Sequence, residues 1–156
     1  MTDQNLFMQQ AIHLSLHGMM NNDGGPFGCI IVKDGIVVGK GWNRVTSSND
    51  PTAHAEVTAI RDACTNLGVN QLEGCEVYTS CEPCPMCMGA IYWARPSKVF
   101  YANTREDAAN IGFDDSLIYK ELTLPLHERI IPLKCIGRDE ALKVFEQWEK
   151  KQDKKE

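Results

Sequence analysis

The sequence contains no long apolar run. No stretch of its 156 residues approaches the roughly 20 apolar residues of a membrane-spanning helix, and the polar segment Met1–Asn5 lacks the features of a secretory signal. We therefore expect a protein with no membrane partner and a cytoplasmic location. Repeats, low-complexity segments and linkers are missing as well, so the sequence predicts one domain spanning residues 1–156.

Positive charge is also scarce. Lysine and arginine number 16 against 21 aspartates and glutamates, which gives a net charge of −5 at pH 7. The basic residues are scattered, apart from a group of lysines between residues 150 and 155. Because proteins that bind nucleic acid usually present a basic patch, this balance argues against a polynucleotide partner.

Cysteine, in contrast, occurs seven times. An odd number does not suit a framework of disulfide bridges and favours a reducing compartment. Four of these residues are expected to be reduced and to lie in or near the core: Cys29, Cys64, Cys75 and Cys135. The other three fall within the short segment 81–87.

Two short motifs, about thirty residues apart, carry the chemistry: HAE at 54–56 and PCPMC at 83–87. His54, Cys84 and Cys87 supply the ligands of a zinc ion with an open fourth position, whereas a structural zinc has four protein ligands. Glu56 lies two residues from His54, and such residues do not share a helical face. We therefore expect one zinc ion per chain, with Glu56 as the acid/base that moves protons between water and substrate.

Both motifs are predicted to lie at the start of a helix. Asp50 suits an N-cap and Pro51 a first helical position, ahead of a helix over 53–67. Pro85 likewise suits the start of the next helix, which follows a buried strand. The positive end of that helix would favour the thiolate forms of Cys84 and Cys87.

Three other interpretations of the cysteines stay open. Cys81 and Cys84 have the same spacing as Cys84 and Cys87, so the three thiolates suggest an iron–sulfur cluster. Such a run needs a fourth cysteine close behind, and the next one is Cys135. A redox dithiol and a closed structural zinc site are the remaining two interpretations.

The rest of the pattern indicates strands that alternate with helices. Helices are predicted over 5–18, 53–67, 86–94 and 139–150, with a short one near 106–110. Strands are predicted over 27–33, 36–42, 76–79, 99–102 and 130–136. Asp34-Gly35 joins the first two strands as a hairpin. This order favours the α/β class, with a mixed sheet between layers of helices.

Longer motifs surround the two short ones and carry a resemblance to a known family. They are GPFG at 25–28, NDPTAHAE at 49–56, SCEPCPMC at 80–87, IYWARP at 91–96 and GFDDS at 112–116. The pairing of H-x-E with P-C-x-x-C is a known signature of zinc-dependent nucleobase deaminases. The sequence resembles the cytidine deaminase superfamily, and within it the small bacterial guanine deaminases.

The resemblance implies a fold, an activity and an assembly. The fold is a three-layer α/β/α arrangement with a mixed five-stranded sheet flanked by helices. The activity is hydrolytic deamination of a nucleobase, guanine, to xanthine and ammonia. The assembly is a homodimer.

The resemblance also implies roles for residues outside the zinc motifs. Asn43 orients the base, Phe27 packs on its ring, and Asp115 meets the amine that is expelled. Trp93 and Asp114 complete the predicted substrate-binding set. From the residues alone, Asp114 and Asp115 equally suit a solvated turn, Asn43 a turn after a strand, and Phe27 and Trp93 a hydrophobic core.

The C-terminal end departs from the family pattern. Guanine deaminases of this type close the pocket with a C-terminal segment that is exchanged between subunits and ends in an aromatic residue. This sequence ends in KKE at 154–156, and its last aromatic residue is Trp148. Two expectations follow: a segment that crosses over without an aromatic end, or a more open pocket that takes a nucleoside.

Other functions share parts of these motifs. A cytosine or guanosine deaminase would use the same zinc site, and a tRNA adenosine deaminase would also have to grip a polyanion. A non-catalytic zinc scaffold would have no need of Glu56 beside an open metal position. The acidic balance and the segment 112–116 favour a small nucleobase over tRNA.

Overall fold

A computed structural model describes residues 3–155 of the chain. The chain separates into two compact units, Met1–Asp115 and Ser116–Glu156. The first unit contains the sheet and both short motifs, at 54–56 and 83–87. None of the described helices has the length and apolar composition needed to cross a membrane.

The sheet of the first unit is mixed and, within the described residues, has four strands. They are β1 (Gly28–Lys33), β2 (Ile36–Trp42), β3 (Cys75–Cys81) and β4 (Lys98–Asn103), in the order β2-β1-β3-β4. Strand β1 is antiparallel to both of its neighbours, and β3 is parallel to β4. The predicted hairpin between β1 and β2 is confirmed. Asp34 and Gly35 both have positive φ, 50° and 76°, as a tight two-residue hairpin turn requires.

Five helices belong to the first unit. They are α1 (Asp3–Met20), α2 (Val45–Ser48), α3 (Ala55–Leu67), α4 (Pro85–Ala94) and α5 (Arg105–Asn110). Successive side chains of a strand point to opposite faces of the sheet. Ile30 accordingly packs with Ala11 of α1, whereas Ile31 packs with Ala59 of α3 and Ala94 of α4. The predicted three layers, helix on sheet on helix, are therefore present in this unit.

Helix α3 lies unusually close to β2. A Cβ atom at Gly41 would stand 2.3 Å from the carbonyl oxygen of Ala55, and one at Gly39 would stand 2.6 Å from the Cβ of Ala63. Only glycine permits this approach without moving the helix or the strand. The strand thereby fixes where the first turn of α3 lies.

The second unit consists of short helical segments. They are α6 (Ser116–Leu122), a 3₁₀ helix (Leu126–Glu128) and α7 (Arg138–Lys150). Two hydrogen bonds stabilise the segment that follows α6. Arg129 Nε donates to the carbonyl oxygen of Leu124 at 3.2 Å, and the N–H of Ile130 donates to Glu121 at 2.7 Å.

The prediction of five strands is wrong, because the segment 130–136 forms no strand among the described residues. Pro132 lies in the middle of this segment and has no N–H to donate to a ladder. Ile130, Ile131 and Ile136 are exposed, so no neighbouring sheet face buries them. The expectation that Cys135 lies near the core is wrong for the same reason, since its thiol is exposed.

Candidate active site

The structure brings His54, Cys84 and Cys87 together into one cluster. The Nδ1 atom of His54 lies 3.5 Å from the Sγ atom of Cys84 and 3.5 Å from that of Cys87. One ligand atom from each residue lies within 4.8 Å of the other two. Among the described residues, these three are the group that can hold a metal ion.

The spacing of the cluster fits zinc. Tetrahedral coordination, with a Zn–N distance of about 2.0 Å and a Zn–S distance of about 2.3 Å, separates nitrogen from sulfur by about 3.5 Å. The two N···S distances have this value. One imidazole and two sulfurs are also a donor set that zinc prefers, and three protein ligands leave a fourth position for water.

Two helix starts position the three ligands. His54 is the N-cap of α3, and Cys84 is the N-cap of α4, with Pro85 in the first turn. Cys87 follows within the first turn of α4, as the sequence predicts. The predicted start of α3 at residue 53 is two residues early. Asp50 does not cap it, because its carboxylate accepts two hydrogen bonds from Thr52 and forms a local turn.

The electrostatics of the cluster favour the thiolate form of Cys84 over that of Cys87. Hydrogen bonds, first from Cys87 and then from His54, hold the pKa of Cys84 well below the usual range of a thiol. The bond to Cys84, together with burial, raises the pKa of Cys87. Cys84 is thus the more acidic of the two thiols, and a divalent cation bound between them would favour the thiolate form of both. The bond with Cys84 also raises the pKa of His54.

Glu56 lies in the first turn of α3 and is only 6% exposed. Its Oε1 atom accepts a hydrogen bond of 2.7 Å from the hydroxyl of Thr79, on β3. Cys29, on β1, is buried nearby; its burial and then the charge of Glu56 raise the pKa of its thiol. The carboxylate is therefore buried beside the cluster and has little contact with solvent.

Cys81 is not part of the cluster. Its side chain is buried, and its Sγ atom lies 3.6 Å from the carbonyl oxygen of Thr104. Burial raises the pKa of this thiol to about 11. The arrangement gives no support to an iron–sulfur cluster, which would need Cys81 as a third thiolate ligand.

Phe27 lies beside the segment that contains the two aspartates. Its ring meets that of Phe113 edge to face, with centroids 4.9 Å apart and an interplanar angle of 88°. Phe113 directly precedes Asp114, which is exposed, and Asp115, which is half-buried. Burial raises the pKa of Asp115, and the charge of Cys84 acts in the same direction, so Asp115 lies within electrostatic range of the cluster.

Asn43 follows β2 and is buried. Its backbone N–H donates to the carbonyl oxygen of Phe27 at 3.0 Å, and its Oδ1 atom accepts from the N–H of Val45 at 3.1 Å. Trp93 has a different setting. It is 80% exposed on α4 and lies about 13 Å along the helix axis from Cys84. The structure therefore fixes Asn43 next to Phe27 and does not bring Trp93 into the cluster of its own chain.

Residues 1–103 match the family model of the cytidine and deoxycytidylate deaminase zinc-binding region. The chain belongs to this family of deaminases. It is 57% identical over 150 residues to guanine deaminase from Bacillus subtilis, which covers 96% of each chain. It also shares 48% identity over 77 residues with the tRNA-specific adenosine deaminase from Aquifex aeolicus, or 49% of this chain and 51% of that one.

The fold agrees with this membership. An X-ray structure of guanine deaminase from Bacillus subtilis superposes with a TM-score of 0.95 at 56% identity, covering 97% of both chains. The resemblance inferred from the motifs is thereby confirmed. Because the family model is a zinc-binding region and the cluster fits zinc, zinc is the cofactor of this deaminase.

Sequence reasoning missed one residue of the site, Thr79. Thr79 is buried, and it shares the α3 face of the sheet with the apolar Val77. A hydroxyl at a buried strand position needs a hydrogen-bond partner. A buried threonine in this strand therefore indicates a nearby acceptor, and the carboxylate of Glu56 is the acceptor that the structure shows.

Proposed function

We propose that this chain hydrolyses guanine to xanthine and ammonia. The observation that carries the proposal is the similarity to guanine deaminase, which spans 96% of the chain and includes both compact units. The similarity to tRNA-specific adenosine deaminases is weaker, with 33% to 48% identity over 49% to 78% of the chain. The net charge of −5 also supports a small substrate and no nucleic-acid partner.

The zinc cluster and Glu56 supply the first half of the reaction. His54, Cys84 and Cys87 would hold zinc, which would supply Lewis-acid activation of the attacking water near neutral pH. We assign Glu56 the role of taking one proton from the attacking water and passing it to the ring nitrogen next to the amine-bearing carbon. A C–O bond forms at that carbon, and the ring C=N bond becomes single.

The second half of the reaction expels the amine. Glu56 takes the remaining proton of the new hydroxyl and delivers it to the exocyclic amine. The C–N bond then breaks, ammonia leaves, and a carbonyl forms at the carbon. Atoms balance, because the two protons of water end on the ring nitrogen and on the ammonia. We assign Asp115 to hold the hydrogens of the departing amine, since its half-buried carboxyl lies within range of the cluster.

The remaining predicted residues would hold the purine ring. Phe27 offers a half-buried aromatic face that Phe113 supports from the side. Asn43 lies next to it, with its amide fixed by the bond to Val45, and can orient the polar edge of the base. Asp114 is exposed, and we place it at the periphery of the bound base.

We further propose one deaminase domain over residues 1–156 and a homodimeric assembly. In the first unit, Tyr92 and Trp93 on α4 are exposed, and β4 is the end strand of the sheet. In the second unit, Ile131 and Phe145 are exposed. Each unit thus exposes large apolar side chains, which is typical of surfaces that form an interface. A second copy of the chain, with its C-terminal segment exchanged, would cover these residues and carry Trp93 to a partner's site.

We also propose that the protein works in the cytoplasm. Its seven cysteines are free thiols, and two of them must remain reduced to serve as zinc ligands. A reducing compartment preserves both properties.

The test of the function is an assay of ammonia release on a panel of substrates. Guanine, guanosine, cytosine, adenine and a tRNA anticodon stem would be compared for the zinc-loaded protein. We expect kcat/KM for guanine to exceed all others, and Glu56→Gln to report the background. Preference for cytosine, guanosine or the tRNA stem would replace guanine as the substrate, and no release from any of them would refute the deaminase assignment.

A further inference from the structure

We propose that Thr79 is a positioning residue of the deamination reaction. Its hydroxyl holds one carboxylate oxygen of Glu56, so that the other oxygen carries every proton that is transferred. This inference rests on the proposed function in one respect, because it takes Glu56 as the proton carrier.

The geometry of the contact is that of a short, charge-assisted hydrogen bond. Thr79 Oγ1 donates to Glu56 Oε1 at 2.7 Å, and Thr79 is 1% exposed. The same hydroxyl lies 3.1 Å from the carbonyl oxygen of Cys81. A hydroxyl has one proton to donate, and an ionised carboxylate is a stronger acceptor than a neutral carbonyl. The shorter bond to Glu56 is therefore the one that the proton occupies.

The location of Thr79 makes the contact rigid. Thr79 lies on β3 directly opposite Cys29 of β1, in the centre of the sheet. Its side chain shares that face of the sheet with Cys29 and Val77, the face that packs on α3. A β-branched side chain in a central strand has little freedom about χ1. The donor is thus fixed by the sheet, whereas Glu56 has three side-chain torsions of its own.

The surroundings of Glu56 explain why a donor is needed. The side chain is nearly buried, and two sulfur-containing side chains, Cys29 and Cys87, are buried close to it. A buried charge is costly unless a hydrogen bond replaces the lost water. Thr79 supplies such a bond from the central strand β3.

Fixing one oxygen has a direct consequence for catalysis. With Oε1 engaged by Thr79, the carboxylate cannot rotate its two oxygens past one another without breaking that bond. The second oxygen then stays on one path between water, ring nitrogen and amine. Misplacement of a catalytic group by about 1 Å can cost on the order of 100-fold in rate, so the expected contribution of this bond lies in turnover and not in affinity.

The test compares Thr79→Val, which removes the hydroxyl and keeps the shape, with Thr79→Ser, which keeps the hydroxyl. We expect Thr79→Val to lower kcat by about 10- to 100-fold with KM and zinc content near those of the parent. Thr79→Ser should restore kcat to within a few-fold. Thr79→Ala serves as the hydroxyl-free variant if the valine protein does not fold.

Ser80 offers a matched control in the same strand. It is also buried, but its hydroxyl accepts a bond from the N–H of Gly28 at 3.0 Å and does not touch Glu56. Ser80→Ala should lower the melting temperature while leaving kcat near that of the parent. Equal losses of kcat in Ser80→Ala and Thr79→Val would show that any lost hydroxyl in β3 has the same effect, and would overturn the proposal.

A crystal structure of Thr79→Val provides a readout without turnover. We expect the carboxylate of Glu56 to rotate or to occupy two conformers, while His54, Cys84 and Cys87 keep their positions. A carboxylate in its parental position, or a kcat equal to that of the parent, would overturn the role. If the parent releases no ammonia from guanine, the proposed substrate fails by itself. The Thr79 variants are then compared on whichever base the parent deaminates, and the carboxylate position is judged independently.

Discussion

The Nδ1 atom of His54 lies 3.5 Å from the Sγ atom of Cys87, although 33 residues separate them in the chain. Neither residue belongs to a loop that reaches out to the other. One lies at the start of α3 and the other in the first turn of α4, and the sheet holds both helices on the same face. The metal centre is thus a product of tertiary packing, and its chemistry can be tested one side chain at a time.

Replacing a ligand should remove the metal. We expect Cys84→Ser and Cys87→Ser to lose most of their zinc, because oxygen is a weaker zinc ligand than thiolate and only three protein ligands are available. Cys81→Ser should retain about one zinc per chain, the content that we expect of the parent, since Cys81 faces Thr104. Elemental analysis of the purified proteins measures this. Retention of zinc by Cys84→Ser with loss by Cys81→Ser would require a different ligand set.

Glu56→Gln should keep the zinc and the fold but lose turnover. The amide preserves size and can still accept the bond from Thr79, yet it cannot carry a proton. General acid/base groups typically contribute about 10²- to 10⁴-fold, so we expect kcat to fall by that factor with KM little changed. Steady-state ammonia release and zinc analysis on one preparation measure both quantities. Turnover within a few-fold of the parent would exclude Glu56 as the proton carrier.

Asp115 and Asp114 should differ in their effect on catalysis. Asp115 is half-buried and within range of Cys84, whereas Asp114 is exposed. We expect Asp115→Asn to lower kcat for guanine by at least about 10-fold and Asp114→Asn to change it by less than about 3-fold. The two variants have the same change in charge, so each is the control for the other. Equal and small losses of kcat would indicate that both residues belong to a solvated turn and take no part in catalysis.

Stabilisation by zinc should grow as the pH rises. The bond with Cys84 raises the pKa of His54, so in the metal-free protein this pair stabilises the fold fully below the usual pKa of histidine. That stabilisation is lost as the pH rises through the raised pKa. Zinc instead requires neutral His54 and two thiolates, so protons compete with it at low pH.

The difference in melting temperature between zinc-loaded and chelator-treated protein measures this competition. We expect it to be small near pH 5.5 and to increase up to pH 8. A difference that is constant over this range would mean that His54 does not exchange its proton for the metal.

A site completed by an exchanged segment can be tested by mixing two inactive variants. Glu56→Gln retains α7 but lacks the proton carrier, and a chain truncated before Val144 keeps Glu56 but lacks most of α7. If α7 of one chain completes the site of its partner, unfolding and refolding them together should restore activity. Random pairing would make about a quarter of the sites functional. Each variant refolded alone is the control, and no recovery from a confirmed mixed dimer would contradict exchange.

The parts of the structure that depend on local chemistry could be predicted from the sequence. Asp34 and Gly35 are residues that accept positive φ, and Pro85 suits the first turn of a helix, so the hairpin and the start of α4 follow directly. The ligand set also follows, because zinc restricts its donors to a few residue types.

The parts that depend on competing local contacts or on distant partners could not be predicted. The start of α3 moves to Ala55 because Asp50 bonds to Thr52 and not to the helix. The apolar segment 130–136 reads as a strand, yet a strand forms only where another strand meets its N–H and C=O groups. The contact of Thr79 with Glu56 could not be predicted, because it depends on which face of β3 packs on α3.

The approach of Gly41 to Ala55 limits how this enzyme can be redesigned. A methyl group at residue 41 would press on the carbonyl of Ala55, which lies between His54 and Glu56, the proposed proton carrier. Variant libraries intended to widen the range of accepted bases should therefore leave β2 untouched and diversify Phe113, whose side chain is 46% exposed and packs edge to face on Phe27. The hairpin is thus the part of the enzyme to keep, and Phe113 is the side chain to vary.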